Sequence, residues 1–235
     1  MSSRKVIKIA GRYLLALTMY FVSGLVLAQT AWDLDAVLAD STIFDEANQV
    51  TKRDALEIEG IRLSPVEGEV LAFTQRRKIA ILSKPLQSSG YFLLDEDKGA
   101  CWAIARPFPA LMIITKEAII QRNRDGSEQV MSTDKNPVVR ELASLFSSVF
   151  TGDVSDILLS FDVYLLRDGM PKAGWVVGMK PKGKNQYGKP KEIRLIGDST
   201  LRWVTFVNQS GDQTVIEFSA ANDQPFDVSA RCFKG

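Results

Sequence analysis

The chain has 235 residues, of which 46% are apolar and 24% charged, values that are ordinary for a globular protein. Its 29 basic and 28 acidic side chains give a formal net charge of +1, which argues against a nucleic-acid-binding protein. The absence of histidine and the presence of only two cysteines exclude Ser-His-Asp and Cys-His catalysis, imidazole-bound zinc and cysteine-rich metal clusters. We therefore expect a binding protein and not an enzyme, with no catalytic residue, metal site or cofactor.

The first 28 residues have the pattern of a secretory signal peptide. Four basic residues between Arg4 and Arg12, with no acid among them, precede an uncharged and mostly apolar run from Tyr13 to Leu27. Small or short residues then predict cleavage after Ala28. The alternative is a membrane anchor, which is disfavoured because a bilayer span needs ~20 residues and this run is shorter. The mature chain, 29–235, is expected to be one periplasmic domain.

Export has two consequences for the mature chain. Removal of the leader leaves 25 basic and 28 acidic side chains, a net charge of −3 that predicts no attraction to an anionic membrane surface. The oxidising compartment leaves two outcomes open for Cys101 and Cys232, a disulfide or two buried thiols. The sequence does not decide between them, because a bridge requires the two Cα atoms to come within bonding range.

The chain begins with a short helix and a long connection. Thr30 and Asp33 form a capping-box pattern before Leu34, Val37 and Leu38, which share one helical face, so a helix is predicted around 31–40. Residues 45–68 are polar and punctuated by glycine and proline, and are expected to be irregular.

Strands dominate from residue 69 onward, because apolar and polar residues alternate there. A glycine inside the second of these strands, Gly90, predicts a bulge or a sharp bend. The predicted strands cover 71–81, 86–94, 101–105, 111–114, 118–121, 128–131, 162–167, 174–180, 191–197, 201–208 and 213–219.

Two apolar helices interrupt the strands. The first is predicted to begin at Asn136-Pro137 and to continue to Phe150, and the second to run from Gly152-Asp153 to Phe161. Both are unusually apolar for surface helices, so they are expected to cover an apolar surface. Because strands and helices do not alternate, the predicted fold class is α+β and mainly antiparallel, an incomplete, half-open β-barrel of about ten or eleven strands with a helical lid.

Several short phrases of the sequence resemble one family in their order and spacing, over about 69–219. This is the LolA family of periplasmic outer-membrane lipoprotein carriers, and the middle phrases resemble most the LolA-like proteins that accompany lipid-linked pigment (aryl polyene) pathways. The phrases are Phe73-Thr74-Gln75-Arg76, Ser89-Gly90-Tyr91-Phe92, Trp102 followed by Arg106-Pro107-Phe108, residues 150–153, residues 158–161, Gly174-Trp175 ending at Lys180-Pro181, and residues 211–218.

The resemblance implies a carrier or chaperone with a hydrophobic cavity beneath its lid. Such a protein takes an acylated lipoprotein or lipid from inner-membrane release machinery and passes it to an outer-membrane acceptor. Each buried acyl CH₂ contributes roughly 0.8 kcal/mol, so a chain of about a dozen carbons needs no polar contact. The residues that the resemblance implies for the acyl cavity and lid are Leu71, Phe73, Phe92, Leu94, Trp102, Ile104, Leu142, Phe146, Val149, Phe150, Trp175 and Val177.

One feature departs from the family pattern. Carriers of the proteobacterial lipoprotein pathway have an Arg-Pro pair between the second and third strands that helps to hold the lid shut, whereas this chain has Glu96-Asp97 there. A carboxylate cannot donate the guanidinium hydrogen bonds. Two other functions stay open: a regulatory sensor of lipid or lipoprotein on the same fold, and a lipid-modifying enzyme in which acids around Asp95 face Asp153 or Asp156.

Overall fold

A computed structural model of the protein describes part of the chain. Leu142, Phe146, Val149 and Phe150 of the predicted lid lie outside the described residues, as do the predicted signal peptide and its cleavage site. Among the residues described, no helix is long and apolar enough to cross a membrane. The described residues are 33–50, 61, 63, 68–95, 97–135, 139–140, 143–144, 154–166, 174–183, 190–222 and 227–233.

The described residues form one antiparallel sheet of twelve strands. Its order is β1-β8-β9-β10-β11-β12-β2-β3-β4-β5-β6-β7, so β1 and β7 are the two edges and the sheet is open. The fold is therefore α+β and resembles an incomplete barrel, as predicted. The strands are β1 (Gln49–Val50), β2 (Val70–Lys78), β3 (Leu86–Asp95), β4 (Gly99–Arg106), β5 (Ala110–Ile114), β6 (Ala118–Asn123), β7 (Glu128–Ser132), β8 (Phe161–Leu166), β9 (Trp175–Pro181), β10 (Glu192–Gly197), β11 (Leu201–Val207) and β12 (Gln213–Ala220).

The helices whose bounds lie within the described residues are short: α1 (Leu34–Ala39), α2 (Val154–Ser160) and α3 (Val228–Cys232), with two 3₁₀ turns at Thr42–Phe44 and Glu46–Asn48. Residues 139–140 and 143–144, within the first predicted lid helix, are also helical. The sequence predicted α1 and α2. It missed α3, whose N-terminus is capped by Asp227 through a hydrogen bond from the Ala230 N–H to Oδ1 at 2.9 Å.

Alternation along the strands divides the sheet into an inner and an outer face. On β2, Leu71 and Phe73 are buried on the inner face, whereas Thr74 and Arg76 are exposed. The inner face is defined by one apolar cluster to which β2, β3, β4 and β8–β12 all contribute. Ile157 of α2 belongs to the same cluster and is fully buried, so this helix covers the inner face.

The first part of the chain covers the outer face of β8–β10. Ile43 is buried there, and a Cβ on Gly178 of β9 would lie 2.8 Å from Cε1 of Phe44, so only glycine permits this approach. The buried Arg194 of β10 donates hydrogen bonds from Nη1 to the carbonyl oxygens of Val37 at 2.6 Å and Leu38 at 2.9 Å. These bonds satisfy carbonyls at the end of α1, which have no partner inside the helix.

The end of the chain covers the outer face of β3–β5. Cys101 of β4 and Cys232 of α3 form a disulfide with a Cα–Cα distance of 6.0 Å and a sequence separation of 131 residues. The bridge lies in an outer apolar cluster that also contains Leu93, Leu111 and Val228. Of the two outcomes that the sequence left open for the cysteines, the structure therefore has the disulfide.

Three local features refine the sequence-based picture. The register between β3 and β4 shifts between Ser89 and Gly90, which confirms the predicted bulge, and a Cβ on Gly90 would lie 2.0 Å from the carbonyl oxygen of Ala103. The predicted first long strand ends at Lys78 instead of Ile81, where its pairing with β3 and β12 stops. Strand β1 lies in the connection 45–68, which was expected to be irregular, and it pairs with β8. It brings the number of strands to twelve, against the ten or eleven predicted.

Candidate functional site: the apolar inner face

The eight strand residues predicted to line an acyl cavity lie together on the inner face. Seven are buried members of the inner cluster, and Ile104 is half-buried and packs against it. Alternation therefore placed these side chains on the correct face, while their contact with a ligand stays a prediction. The eight are Leu71, Phe73, Phe92, Leu94, Trp102, Ile104, Trp175 and Val177.

Four aromatic rings pack together on β12, β2, β3 and β4. The ring centroids of Phe73 and Phe92 lie 4.8 and 5.1 Å from that of Trp102, in tilted and T-shaped arrangements. Phe218, which pairs with Phe73 across β12 and β2, completes the group at 5.6 Å from Phe92 and 6.0 Å from Trp102. The sequence-based site omitted Phe218, although its alternation with Ile216 on β12 places it on the inner face.

The opposite part of the inner face, on β8–β10, is mainly aliphatic, with Phe161 and Trp175 at the first positions of β8 and β9. The aliphatic side chains are buried with 1% exposure or less and carry no polar group that a ligand would have to satisfy. Only Val177 of this aliphatic group was predicted as part of the site. The other members are identifiable by the same alternation: Val163, Leu165, Met179, Ile193 and Leu195.

The described parts of the predicted lid contact the inner face at two places. Val139 and Ala143 are buried against Ile114 and Ile119 of β5 and β6, and Ile157 of α2 is buried in the main inner cluster. The described residues of both predicted lid helices thus pack against the inner face, as their apolar sequence predicted.

Each described end of the lid is held by a cation that binds backbone carbonyls. Arg140 donates from Nε to the Thr133 carbonyl at 3.1 Å and from Nη2 to the Asp134 carbonyl at 3.2 Å. At the other end, Lys182 Nζ donates to the carbonyl of Leu158 at 2.7 Å, near the end of α2. These polar contacts fix the two ends, whereas the contacts with the inner face are apolar.

A small cavity opens onto the inner face where β2, β11 and β12 meet. Its volume is about 150 Å³, and its lining is about equally polar and apolar: Leu71, Leu201 and Phe218 supply apolar surface, while Glu69, Thr200 and Arg202 also line it. Pockets for drug-sized ligands occupy about 300–1,000 Å³, so this cavity is small for a long alkyl chain. An acyl chain of about a dozen carbons would therefore have to displace side chains or lid contacts.

Trp175 closes the inner face at the same end of the sheet. Its indole N–H donates to the Asp198 carbonyl at 2.6 Å, so the one polar atom of this buried side chain is satisfied. The ring is held tightly, since a Cβ on Gly197 would lie 2.5 Å from its Cζ2 atom. Trp175 therefore contributes a fixed wall.

The acidic turn after β3 has a structural role. The N–H groups of Asp97 and Lys98 donate to Oδ1 of Asp95 at 3.1 and 2.9 Å, and the Lys98 bond is the main cause of the lowered pKa of Asp95. A general acid requires a raised pKa. Glu96, Asp153 and the side chain of Asp156 lie outside the described residues. Within the part of the chain that is described, no three carboxylate or cysteine side chains gather as a metal site would require.

The comparison with protein families is decisive. Residues 65–234 match the family described as outer membrane lipoprotein carrier protein LolA, which covers more than half of the chain. This chain belongs to the LolA family. The family is one of carriers and not of enzymes, and the match extends beyond the stretch in which the sequence phrases were recognised, to include α3 and Cys232.

Several solved structures are similar to this LolA family member, three of which are described here, and the search of curated proteins found no match. A DUF1329 family protein from Desulfovibrio piger has 12% identity and a TM-score of 0.39, with 75% of this chain and 95% of that chain covered. A LolA superfamily protein from Nitrosomonas europaea has 10% identity and a TM-score of 0.39, with coverages of 75% and 96%. A putative outer membrane lipoprotein-sorting protein domain from Vibrio parahaemolyticus has 10% identity and a TM-score of 0.38, with coverages of 75% and 94%.

Proposed function

We propose that the protein is a periplasmic carrier that binds the acyl chains of a lipoprotein or lipid between its inner face and its lid. It receives this cargo from inner-membrane release machinery and passes it to an outer-membrane acceptor. The observation that carries the proposal is the continuous apolar inner face, to which strands and helix α2 both contribute. Membership of the LolA family supports the same function.

The chemistry of the inner face suits an alkyl chain. The cluster consists of aliphatic and aromatic side chains, so a ligand gains from burial of apolar area and needs no hydrogen-bond partner. Each CH₂ contributes roughly 0.8 kcal/mol. Affinity can therefore be large for a long chain and still be reversible, which a carrier requires.

Cargo and lid compete for the same surface. Ile157 occupies the inner cluster when the lid is closed, and an acyl chain would take over the contacts that this residue makes. Such a ligand shifts the population toward the open form through its higher affinity for that form. Lys182 binds the carbonyl of Leu158, which is next to Ile157, so displacement of Ile157 by cargo must also break or carry along this hydrogen bond.

Acyl binding can be tested with a fluorescent fatty acyl probe and the mature chain, 29–235. In the Ile157→Ala variant we expect altered probe binding per folded molecule, because the lid loses its buried anchor. The matched control is Ile113→Ala, which truncates a buried residue of the outer cluster and should lower stability by ~2–5 kcal/mol without changing that binding.

Two outcomes would contradict the proposal. One is a wild-type protein that binds no acyl probe, lipid or acylated peptide. The other is Ile157→Ala binding that falls only in proportion to the folded fraction, as for Ile113→Ala. Phe146→Ala and Phe150→Ala extend the test to lid residues outside the described part of the chain. Mass spectrometry of co-purified lipids would separate lipoprotein acyl chains from a lipid-linked pigment.

Export is a separate part of the proposal. The basic start and the apolar run from Tyr13 to Leu27 should direct the chain across the inner membrane, with a mature product that begins at Gln29. N-terminal sequencing of protein from a periplasmic fraction checks this. Recovery of intact Met1 in a membrane fraction would contradict it.

A further inference from the structure

The hairpin that joins β2 and β3 ends in exposed apolar side chains. Ile81 is 90% exposed, Leu82 43% and Leu86 51%. Ile81 and Leu82 lie in a turn closed by a hydrogen bond from the Leu82 N–H to the Ile79 carbonyl at 3.0 Å, and Leu86 is the first residue of β3. Single exposed apolar residues are common, but three at one hairpin tip form a local patch. We call the segment from Ile79 to Leu86 the hairpin tip.

The strands that carry the hairpin tip are strongly basic. From Val70 to Leu94 the chain contains no acidic residue, whereas Arg76, Arg77, Lys78 and Lys84 are all exposed. Within the described residues, the ion pairs that form involve none of these four side chains. Asp212 is an acid beside the tip: its carboxylate accepts a hydrogen bond from the Ala80 N–H at 3.0 Å, and the charge of Arg77 helps to lower its pKa.

The neighbouring β4–β5 loop adds to this surface. Arg106 pairs with Ser89 of β3, so the loop that follows Arg106 lies at the same end of the sheet as the hairpin tip. Phe108 in this loop is 83% exposed. Pro109 lines a groove of about 370 Å³ together with Arg122, Arg124 and Arg231, of which Arg122 is paired with Glu128.

We propose that this end of the sheet docks on an anionic phospholipid bilayer, with Ile81 and Leu82 inserted at the interface. Apolar side chains on a projecting turn fit a deformable bilayer, and the surrounding Lys and Arg side chains attract anionic head groups while their stems follow the apolar layer. The net charge of −3 on the mature chain opposes membrane attraction on average, but the segment from Val70 to Leu94 contributes four exposed basic side chains and no acid, with Asp212 beside it. A local positive patch can act at a surface because charges beyond ~8–10 Å are screened.

The inference can be tested with the mature chain and phosphatidylcholine vesicles, prepared with or without phosphatidylglycerol. Co-sedimentation should occur with the phosphatidylglycerol vesicles and decrease as salt is raised. The double variant Ile81→Ser/Leu82→Ser should weaken it by about tenfold or more, because it removes the inserted apolar groups. Lys78→Glu/Lys84→Glu should weaken it by about tenfold on anionic vesicles and have little effect on neutral ones.

Matched controls lie away from the hairpin tip. Val130→Ser on the edge strand β7 removes another exposed apolar side chain, and Lys116→Glu reverses an exposed charge in the β5–β6 loop at the opposite end of the sheet. Both should bind vesicles like the wild type. Equal vesicle binding by wild-type and hairpin-tip variants would overturn the inference, as would binding that does not depend on phosphatidylglycerol.

Two further measurements separate this inference from its alternatives. Analytical ultracentrifugation tests whether the patch holds a second copy of the chain: a wild-type dimer that Ile81→Ser/Leu82→Ser converts to a monomer would overturn membrane docking. Acyl-probe binding should be unchanged in the hairpin-tip variants. If the protein binds anionic vesicles but no acyl probe, the carrier proposal fails and the docking inference stands; the reverse result removes only the docking inference.

Discussion

The two faces of the sheet are held by different kinds of interaction. On the outer face, a disulfide fixes α3 to β4, and Arg194 fixes the end of α1 by hydrogen bonds with defined geometry. On the inner face, α2 meets the strands through apolar packing, with Ile157 as its fully buried residue. On the outer face a covalent bond or a buried guanidinium therefore supplements the apolar packing, whereas α2 combines its apolar packing with one hydrogen bond, from the exposed Lys182 to the carbonyl of Leu158.

The difference in attachment indicates that α2 can leave its face of the sheet more easily than α1 or α3. Apolar packing depends on the area removed from water and not on the identity of the partner, so an acyl chain can replace a lid side chain at small cost. A disulfide or a buried guanidinium on a helix terminus has no such substitute. Variants on each face can therefore break or sharpen this contrast.

The largest effect is expected from the disulfide. Cys101→Ala/Cys232→Ala opens a covalent loop of 131 residues, and the chain-entropy account gives a loss approaching ~5 kcal/mol in the free energy of unfolding. Urea unfolding with and without reductant measures it. The wild type should lose stability on reduction, while the double variant should be insensitive to reductant. A wild type that shows the same unfolding midpoint in both conditions would contradict this prediction.

The next effect should come from the aromatic group on the inner face. Phe92→Ala removes a fully buried ring that contacts Trp102 and Phe218, so stability should fall by ~3–5 kcal/mol. If the inner face accepts replacement side chains, benzene or an acyl chain should bind the new cavity and raise the unfolding midpoint. Leu111→Ala on the outer cluster is the control, and added ligand should not restore its stability. A loss below ~1 kcal/mol for Phe92→Ala would show that the ring is not part of a packed core.

Much of this arrangement follows from sequence periodicity. A period of two fixes which side of a strand each residue occupies, so alternation in 71–81 and 86–94 is enough to predict the inner positions of Leu71, Phe73, Phe92 and Leu94. The bulge at Gly90 was also predictable, because a glycine within a strand commonly marks a close backbone approach.

The packing of the α1 segment and of α3 on the outer face was not predictable in the same way. Their contacts join residues that are far apart in sequence, such as Arg194 with Val37 and Cys101 with Cys232, and no local pattern encodes those pairings. The two-residue strand β1 has too few residues to show a period. The net charge of the mature chain, −3, did not predict the basic hairpin tip, because a sum over the whole chain does not say where the charges lie.

A smaller effect is expected from Arg194. Arg194→Met retains the apolar stem but removes the hydrogen bonds to α1 and the ion pair with Glu192 at 3.1 Å, so a loss of ~2–3 kcal/mol is expected. Hydrogen exchange should also increase over 34–48, the segment that Arg194 anchors. The control is Arg202→Met, since Arg202 pairs with Asp198 at an exposed site and should cost less than ~1 kcal/mol. Similar losses for both variants would remove the distinction between a buried anchor and a surface pair.

The smallest effect is expected from Asp212, whose carboxylate accepts a hydrogen bond from Ala80 in the hairpin tip. The hydrogen bond from the Ala80 N–H, followed by that from Asn208, holds the pKa of Asp212 below its ordinary value of 3.8. Because the pKa is lower in the folded state, the stabilising contribution is present above pH 3.8 and is lost as the pH falls through the folded pKa. The Ala80 amide signal in NMR should therefore titrate with a midpoint below 3.8.

Substitutions at Asp212 separate the hydrogen bond from the charge. Asp212→Asn keeps an acceptor for the Ala80 N–H and should abolish the titration while preserving slow exchange of that amide, whereas Asp212→Ala should speed the exchange at every pH. Loss of the carboxylate also removes a negative charge that interacts with Arg77, so binding to anionic vesicles should rise slightly in both variants. An Ala80 titration with a midpoint at or above 3.8 in the wild type would show that the carboxylate does not hold the hairpin. The β2–β3 turn would then depend on its strand pairing alone.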